Sequence, residues 1–497
     1  MTDTIARLVR SQAAEIPDRT MVIDPDTRLT YAELEATTRE LAAGFFAAGV
    51  GKGSRVGLIM PNGVAWMQIA VALTRIGAVL VPLSTLLAPP ELVAQLRVAA
   101  VQYLVAVPEF RGHRYLDDLE PHRSELPALR RVWAADDVPR SSDTGVVDRL
   151  AECVTPSDTL AVMFTSGSSG PPKGVIHSHG NALDAVRSGL TARCIDSDTR
   201  LYLPMPFFWV GGFGSGVLSA LLAGATLVTE PIPHPDTTLA LLERERVTLF
   251  RGWPDQAEAL ARHNQSVGAD LSALRPGSLE ALLPPELRAQ PGARANLFGM
   301  TESFGPYCGY PADTDMPRSA WGSCGKPFDG MDVRIVDVDS GRPVPAGTIG
   351  MIQLRGRHMM RGICRRRRDE LFTPDGYYPT GDLGHLDDDG FLFYHGRSDD
   401  MFKVSGATVY PSEVERALRI IDGVHAAFVT EVNGAVGAAV VSELTVERLR
   451  AEARKVLSAF KVPKVWLRVD SDEEIPRKAT GKVDVRALRE LLAAAVS

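Results

Sequence analysis

The residues best suited to chemistry lie in Thr165-Ser-Gly-Ser-Ser-Gly170-Pro-Pro-Lys173-Gly174, directly after the apolar run Leu160-Ala-Val-Met-Phe164. Gly167, Gly170 and Gly174 let the backbone approach a ligand and turn its N–H groups inward. The hydroxyls of Thr165, Ser166, Ser168 and Ser169 and the ammonium of Lys173 add donors suited to a polyphosphate. A Walker A loop ends in adjacent Gly-Lys-Ser/Thr and opens into a helix, whereas here two prolines separate Gly170 from Lys173. Taken alone, a glycine-serine loop also serves as a plain connection. Its meaning depends on the other segments.

Four of these follow downstream. They are Asn296-Leu-Phe298-Gly299-Met-Thr301-Glu302, then Tyr378-Pro-Thr380-Gly-Asp382, then Gly396-Arg397-Ser-Asp399-Asp400-Met-Phe-Lys403-Val-Ser-Gly406, and last Ile475-Pro476-Arg-Lys478-Ala-Thr480-Gly481-Lys482. In this order and spacing, over nearly the whole chain, the five segments resemble the adenylate-forming (AMP-binding) superfamily of acyl- and aryl-CoA ligases, peptide-synthetase adenylation domains and luciferase-like enzymes.

The resemblance implies an ATP-dependent acid–thiol ligase: a carboxylate attacks the α-phosphate of ATP, giving an acyl-adenylate and pyrophosphate, and a thiol then displaces AMP. Carboxylate and triphosphate repel one another, so such a site works mainly by positioning and by electrostatic stabilisation. By resemblance the catalytic residues are Lys482, bridging carboxylate and α-phosphate, with Thr301 and Glu302 beside it; Glu302 is the implied ligand of Mg²⁺, a hard cation that takes oxygen donors. The implied nucleotide contacts are Thr165, Ser166, Gly167, Ser168, Ser169, Gly170, Lys173, Phe298, Gly299, Thr301, Asp382 and Arg397. Phe298 stands where the family usually has tyrosine against adenine and keeps the aromatic face. Asp382 is implied to accept the ribose hydroxyls, Asp399 to act as a hinge, and Lys403 and Gly406 to line the thiol tunnel. Acylation of Lys482 is a further implied means of control, since it would remove the bridging charge.

Phe208, Trp209 and Gly211, in Tyr202-Leu-Pro-Met-Pro206-Phe207-Phe208-Trp209-Val-Gly211-Gly212, match the family's acyl-pocket segment, with Trp209 where histidine is common. No aspartate stands there to receive an amine, which disfavours an amino acid substrate. A second departure lies upstream of Thr301, where Leu274-Arg-Pro-Gly277-Ser-Leu-Glu280 replaces the usual Gly-Gly-Ala-Pro type loop, so the pocket wall reads as shortened or rebuilt. Three readings remain open: a ligase using CoA, one loading a carrier-protein phosphopantetheine, and a non-catalytic nucleotide-binding relative.

The elements that must position these residues alternate between helix and strand for most of the chain. Thr30 with Glu33 is a capping box opening a helix through Ala48, closed by Gly49. Strands are expected at 55–60, 78–82, 103–107, 160–164, 225–229 and 247–250, with a helix over 64–75. The expected fold class is therefore α/β: a large N-terminal domain, 1–397, of mostly parallel sheets flanked by helices. From about residue 323 short strands and frequent glycines suggest a barrel-like β subdomain reaching 397. Residues 398–497 read as a small, mobile α+β domain, hinged near Asp399 by resemblance.

Composition agrees with a soluble enzyme acting on small molecules. In 497 residues, 54 basic and 61 acidic side chains leave a net charge of −7, which gives no reason to expect nucleic acid. The one basic run, Arg365 to Arg368, is followed by Asp369 and Glu370 and reads as a self-compensating loop. Five cysteines without CxxC spacing argue for reduced thiols. No stretch reaches the roughly 18 apolar residues of a membrane span, and a cytoplasmic location is expected.

Overall fold

Helix formation near the N-terminus follows the local chemistry read above. In the computed structural model the Thr30 hydroxyl accepts the Glu33 N–H at 3.1 Å and Glu33 Oε2 accepts the Thr30 N–H at 2.8 Å, opening helix Tyr31–Ala47. The structure describes residues 4–165, 172–398, 400–404, 407–477 and 483–495.

The chain divides into two compact units, residues 1–332 with 355–376, and residues 333–354 with 377–497. The first contains a seven-stranded sheet in the order Gly362–Ile363, Lys173–Ser178, Thr159–Thr165, Val79–Pro82, Arg55–Ile59, Tyr103–Ala106 and Arg131–Ala134. The pairings among the last five strands are parallel. A five-stranded sheet has the order Leu249–Phe250, Arg200–Tyr202, Thr226–Val228, Thr20–Ile23 and Arg28–Thr30, parallel except for the final pair. The central strands Val79–Pro82, Arg55–Ile59 and Tyr103–Ala106 are almost wholly buried, the expected texture of parallel sheets.

One expectation changes. A run followed by a phosphate-type loop in a βαβ rhythm suggests a crossover, yet Thr159–Thr165 returns antiparallel on Lys173–Ser178, with Thr165 opposite Lys173. Thr165 and Lys173 therefore end and open neighbouring antiparallel strands.

The core of this unit reaches the acyl-pocket segment. Trp66, fully buried on helix Val64–Arg75, packs edge to face on Phe207 at 5.2 Å and on Phe213 at 5.6 Å. Residues 213–218 form a π-helix, a geometry often found at functional sites.

In the second unit, antiparallel strands Gly350–Gly356, Tyr378–Leu386 and Leu392–Arg397 belong to a four-stranded sheet. Its C-terminal part packs helices Pro411–Arg419, Val446–Val456 and Val485–Ala494 with the sheet Val424–Val432, Ala435–Ser442 and Val465–Val469. Among the described residues no helix is long and apolar enough to cross a membrane.

Candidate active site

Thr301 and Glu302 sit on a single 3-10 turn, Thr301–Ser303, inside the antiparallel hairpin of Phe298–Met300 and Gly305–Gly309. The turn is tightly specified. Ser303 Oγ donates to the Gly305 carbonyl at 2.7 Å and accepts the Met300 N–H at 3.3 Å. Phe304 then takes a left-handed conformation, φ +53, strained for a bulky residue and held by burial against His177 at 4.8 Å and Phe213 at 6.2 Å. Gly299 must be glycine, because a Cβ there would meet the Gly305 carbonyl oxygen at 2.2 Å. Phe298 turns its ring edge-on to Tyr307 at 5.6 Å.

A buried polar chain joins this turn to the Lys173 strand. Thr301 offers a carbonyl acceptor 2.8 Å from His177 Nε2, which must therefore carry the proton. Nδ1 is left to accept from Asn181 Nδ2 at 2.8 Å, and that amide also donates to the His358 carbonyl at 3.0 Å. Asn181 Oδ1 accepts the Ser178 N–H at 2.6 Å, closing the cap of helix His179–Ser188. Burial holds the His177 pKa down to about 4, so the ring is neutral at pH 7 and acts as a fixed donor. Lys173 and His177 lie four residues apart on one strand and so share a face. His177, Asn181 and His358 escape sequence reasoning; the His177-Ser-His179 triplet was the available signal, with nothing to say which ring faced Thr301.

Glu302 is buried, with 7% of its surface exposed, and its carbonyl accepts the Met360 N–H at 2.8 Å. One buried carboxylate fits Mg²⁺, which is usually held by one or two carboxylates while substrate phosphates and water complete its shell.

The segment 202–212 is clamped by Asn62 of the Pro61-Asn62-Gly63 turn. Its amide donates to the Met205 carbonyl at 3.0 Å and its Oδ1 accepts the Phe207 N–H at 2.8 Å. Beyond lies a cavity of about 510 Å³, lined by apolar Ile195, Leu203, Met205, Leu279 and Leu297 and by Gly211. Gly211 suits the wall, because a Cβ would meet Met205 Sδ at 2.9 Å. Phe208 is buried and packs edge-on against Trp209 at 5.5 Å, and Trp209 packs against Trp253 at 6.3 Å.

The unusual stretch 274–281 supplies part of this wall. Ser278, Leu279, Glu280 and Ala281 line the cavity. The Leu279 N–H bonds the Phe250 carbonyl at 3.1 Å, the Phe250 N–H bonds Ser278 Oγ at 3.1 Å, and Arg251 Nη1 donates to the Gly277 carbonyl at 2.7 Å.

The second unit holds the other nucleotide candidates. Asp382 and Arg397 face each other across antiparallel strands, with Arg397 Nη1 3.2 Å from Asp382 Oδ1. Arg397 also donates to the Thr380 carbonyl at 3.0 Å, and the Thr380 hydroxyl accepts the Asp382 N–H at 2.9 Å. Gly381, φ +76, leaves room for the Arg397 guanidinium, which a Cβ would meet at 2.8 Å. The basic run at 365–368 is satisfied locally: Arg367 pairs with Asp369 at 2.7 Å and Arg365 donates to the Arg97 carbonyl at 2.6 Å. Ser166, Gly167, Ser168, Ser169, Gly170, Asp399, Gly406 and Lys482 lie outside the described residues, as does the Lys403 side chain, whose backbone belongs to strand Phe402–Val404.

Comparison with known proteins bears on this arrangement. Residues 9–364 match the family described as AMP-binding enzyme. A feruloyl-CoA synthase from Amycolatopsis is 33% identical over 94% of each chain. A 3-[(3aS,4S,7aS)-7a-methyl-1,5-dioxo-octahydro-1H-inden-4-yl]propanoyl:CoA ligase from Mycobacterium tuberculosis is 33% identical over 98% of this chain and 97% of its own. The crystal structure of the anthranilate CoA ligase AuaEII with anthranoyl-AMP superposes with a TM-score of 0.83, covering 99% of this chain and 98% of that one at 24% identity, and so speaks for the fold. The chain belongs to the AMP-binding, adenylate-forming enzyme family.

Proposed function

We infer that the protein is an AMP-forming acid–thiol ligase, converting a carboxylic acid to its acyl-adenylate and then to a CoA thioester. In the first step a carboxylate oxygen attacks the α-phosphorus of ATP, the bond to the β-phosphate breaks, and pyrophosphate leaves. In the second a thiolate attacks the acyl carbon and AMP leaves. The observation that carries this reading is the Thr301–Glu302 turn, tied through His177 to the strand that Lys173 opens, in a chain of this family.

Each residue has a task in that scheme. Lys173, with Thr165, Ser166, Gly167, Ser168, Ser169 and Gly170, receives the β- and γ-phosphates, Thr301 hydrogen-bonds the α-phosphate, and Phe298 with Gly299 lies along adenine. Glu302 would hold Mg²⁺, whose charge screens the triphosphate from the incoming carboxylate. Asp382 accepts the ribose hydroxyls while Arg397 holds its carboxylate in place across the strands. Lys482 bridges the two anions in the first step, and the chain from Ser398 onward turns about Asp399 to bring Lys403 and Gly406 to the thiol in the second. The cavity beside Gly211 takes the acyl group, and its volume and the apolar side chains of Ile195, Leu203, Leu279 and Leu297 support an acid with a ring, in keeping with relatives named for feruloyl and indanylpropanoyl substrates.

AMP release tests the scheme. With ATP and Mg²⁺, turnover should require both an organic acid and CoA, and the thioester should form in equal amount to AMP. AMP release that no acid stimulates, or that CoA leaves unchanged for every acid that does, would contradict it.

A further inference from the structure

Three arginines line the acyl cavity; Arg294 is paired with Asp315 at 3.0 Å, but among the described residues Arg193 and Arg251 have no acidic partner, and they restrict what the cavity is built to hold. Arg193 is 3% exposed, and Arg251 retains intermediate exposure. Arg193 Nη2 donates to the Val186 carbonyl at 2.5 Å and Arg251 Nη1 to the Gly277 carbonyl at 2.7 Å. Among the described residues Arg193 Nε is buried with no hydrogen-bond partner, and neither arginine makes an ion pair. The carboxylates that share the cavity do not supply one: Glu280 accepts the Ala289 N–H at 2.8 Å, and Glu258 is exposed.

The rest of the molecule shows how unusual this is. Arg75, fully buried, is matched by Glu35 through Nη1 at 3.0 Å and by Thr38 Oγ1 at 3.1 Å. Arg200 is matched by Glu245 at 3.0 Å, and Arg275 by Asp196 at 3.1 Å. A buried cation left alone is strongly unfavourable. Burial, and then the charge of Arg251, draw the Arg193 pKa down to about 9, which still leaves the Arg193 guanidinium charged at pH 7. Two adjacent cations in a walled cavity ask for an anion, and none of the described ends of the phosphate loop, Thr165, Pro172 and Lys173, lines it.

We propose that the acid activated here carries a second carboxylate, received by Arg193 and Arg251 at the far end of the acyl cavity while the first reacts with ATP. The proposal rests on the ligase reading and narrows its substrate to diacids, including ring-bearing ones. A guanidinium presents a planar fork that matches a carboxylate, and the apolar side chains between supply the ring or chain contact. A monocarboxylic acid would fill the same volume and leave both cations unpaired, so discrimination should be large.

Matched pairs of acids test this: benzene-1,4-dicarboxylate against 4-methylbenzoate, and hexanedioate against hexanoate. In CoA-dependent AMP release the diacid should exceed its partner by roughly ten- to hundredfold in kcat/KM in at least one pair. Arg251→Met should collapse that ratio towards one through the KM for the diacid, with the KM for ATP little changed, and Arg251→Lys should restore part of it. Thermal unfolding gives an independent readout: the preferred diacid should raise the Tm of the wild-type protein, and of Arg251→Met much less. Turnover of monoacids as fast as diacids in both pairs, or equal losses on both acids in Arg251→Met, would overturn the proposal and leave the ligase reading standing. Arginine-dependent stabilisation by a diacid without AMP release would uphold the anion site and contradict the ligase reading. Absence of both stabilisation and turnover with all four acids would overturn the proposal.

Discussion

At the scale of single residues, the placement of Thr301 depends on the buried His177 ring. His177 donates to its carbonyl, so His177→Ala removes the donor and leaves a buried acceptor unpaired, an effect of about 1–3 kcal/mol on stability. The expected functional loss is roughly ten- to hundredfold in the adenylation kcat, with partial rescue by His177→Gln, which retains an N–H; a kcat unchanged in protein that remains folded would remove His177 from the positioning of the turn. The same burial predicts a pH dependence. His177 and His179 are held near 4 by desolvation, against 6.5 in the unfolded chain. The unfolded state therefore takes up protons first as pH falls, so their contribution is complete above about pH 6.5 and is lost between 6.5 and 4, by about 3 kcal/mol per histidine at most. Urea unfolding at pH 7.5 and 5 should show a clear drop, and a flat profile would contradict the neutral buried rings.

At the scale of elements, Asn62 makes a sharp prediction. Its amide links the turn after strand Arg55–Ile59 to both polar backbone groups of Met205 and Phe207, so Asn62→Ala should loosen the acyl-pocket segment and raise the KM for the acid several-fold while sparing that for ATP. Equal effects on both would mean the turn acts on the whole unit. Elements of this kind were unevenly legible in the sequence. Helix Tyr31–Ala47 could be read from Thr30 and Glu33 because a cap is a contact between near neighbours. Helix Val64–Arg75 and strand Arg55–Ile59 likewise followed from apolar period and length. The antiparallel return of Lys173–Ser178 did not, since period marks a strand but not the direction of its partner. Asn62 looked like any turn residue, and Arg193 and Arg251 like any basic residues, because a missing partner is a fact of three dimensions.

At the scale of the whole molecule, the candidate residues divide between the two compact units. The first holds Lys173, Thr301, Glu302 and the cavity beside Gly211, and the second holds Asp382 and Arg397. If the two steps use different faces of the C-terminal region, mutations there should separate them. Lys482→Ala is expected to slow adenylation by on the order of 10²–10³ while sparing thioester formation from supplied acyl-adenylate, and Gly406→Leu should do the reverse. Equal losses in both steps for both variants would argue for one fixed arrangement. The order of the five segments made the family legible from sequence alone; the shape of the cavity was not legible, because side chains far apart in the chain, Arg193, Gly211, Arg251 and Leu279 among them, line it.

The central claim is that a carboxylate is activated on ATP before any thiol takes part. Isotope exchange between pyrophosphate and ATP, measured without CoA, tests it most directly. Exchange that appears only when a suitable acid is present, and that falls by at least a hundredfold in Lys482→Ala, is the expected result. ATP binding with no acid-dependent exchange, across diacids and monoacids with alkyl or aryl bodies, would contradict it.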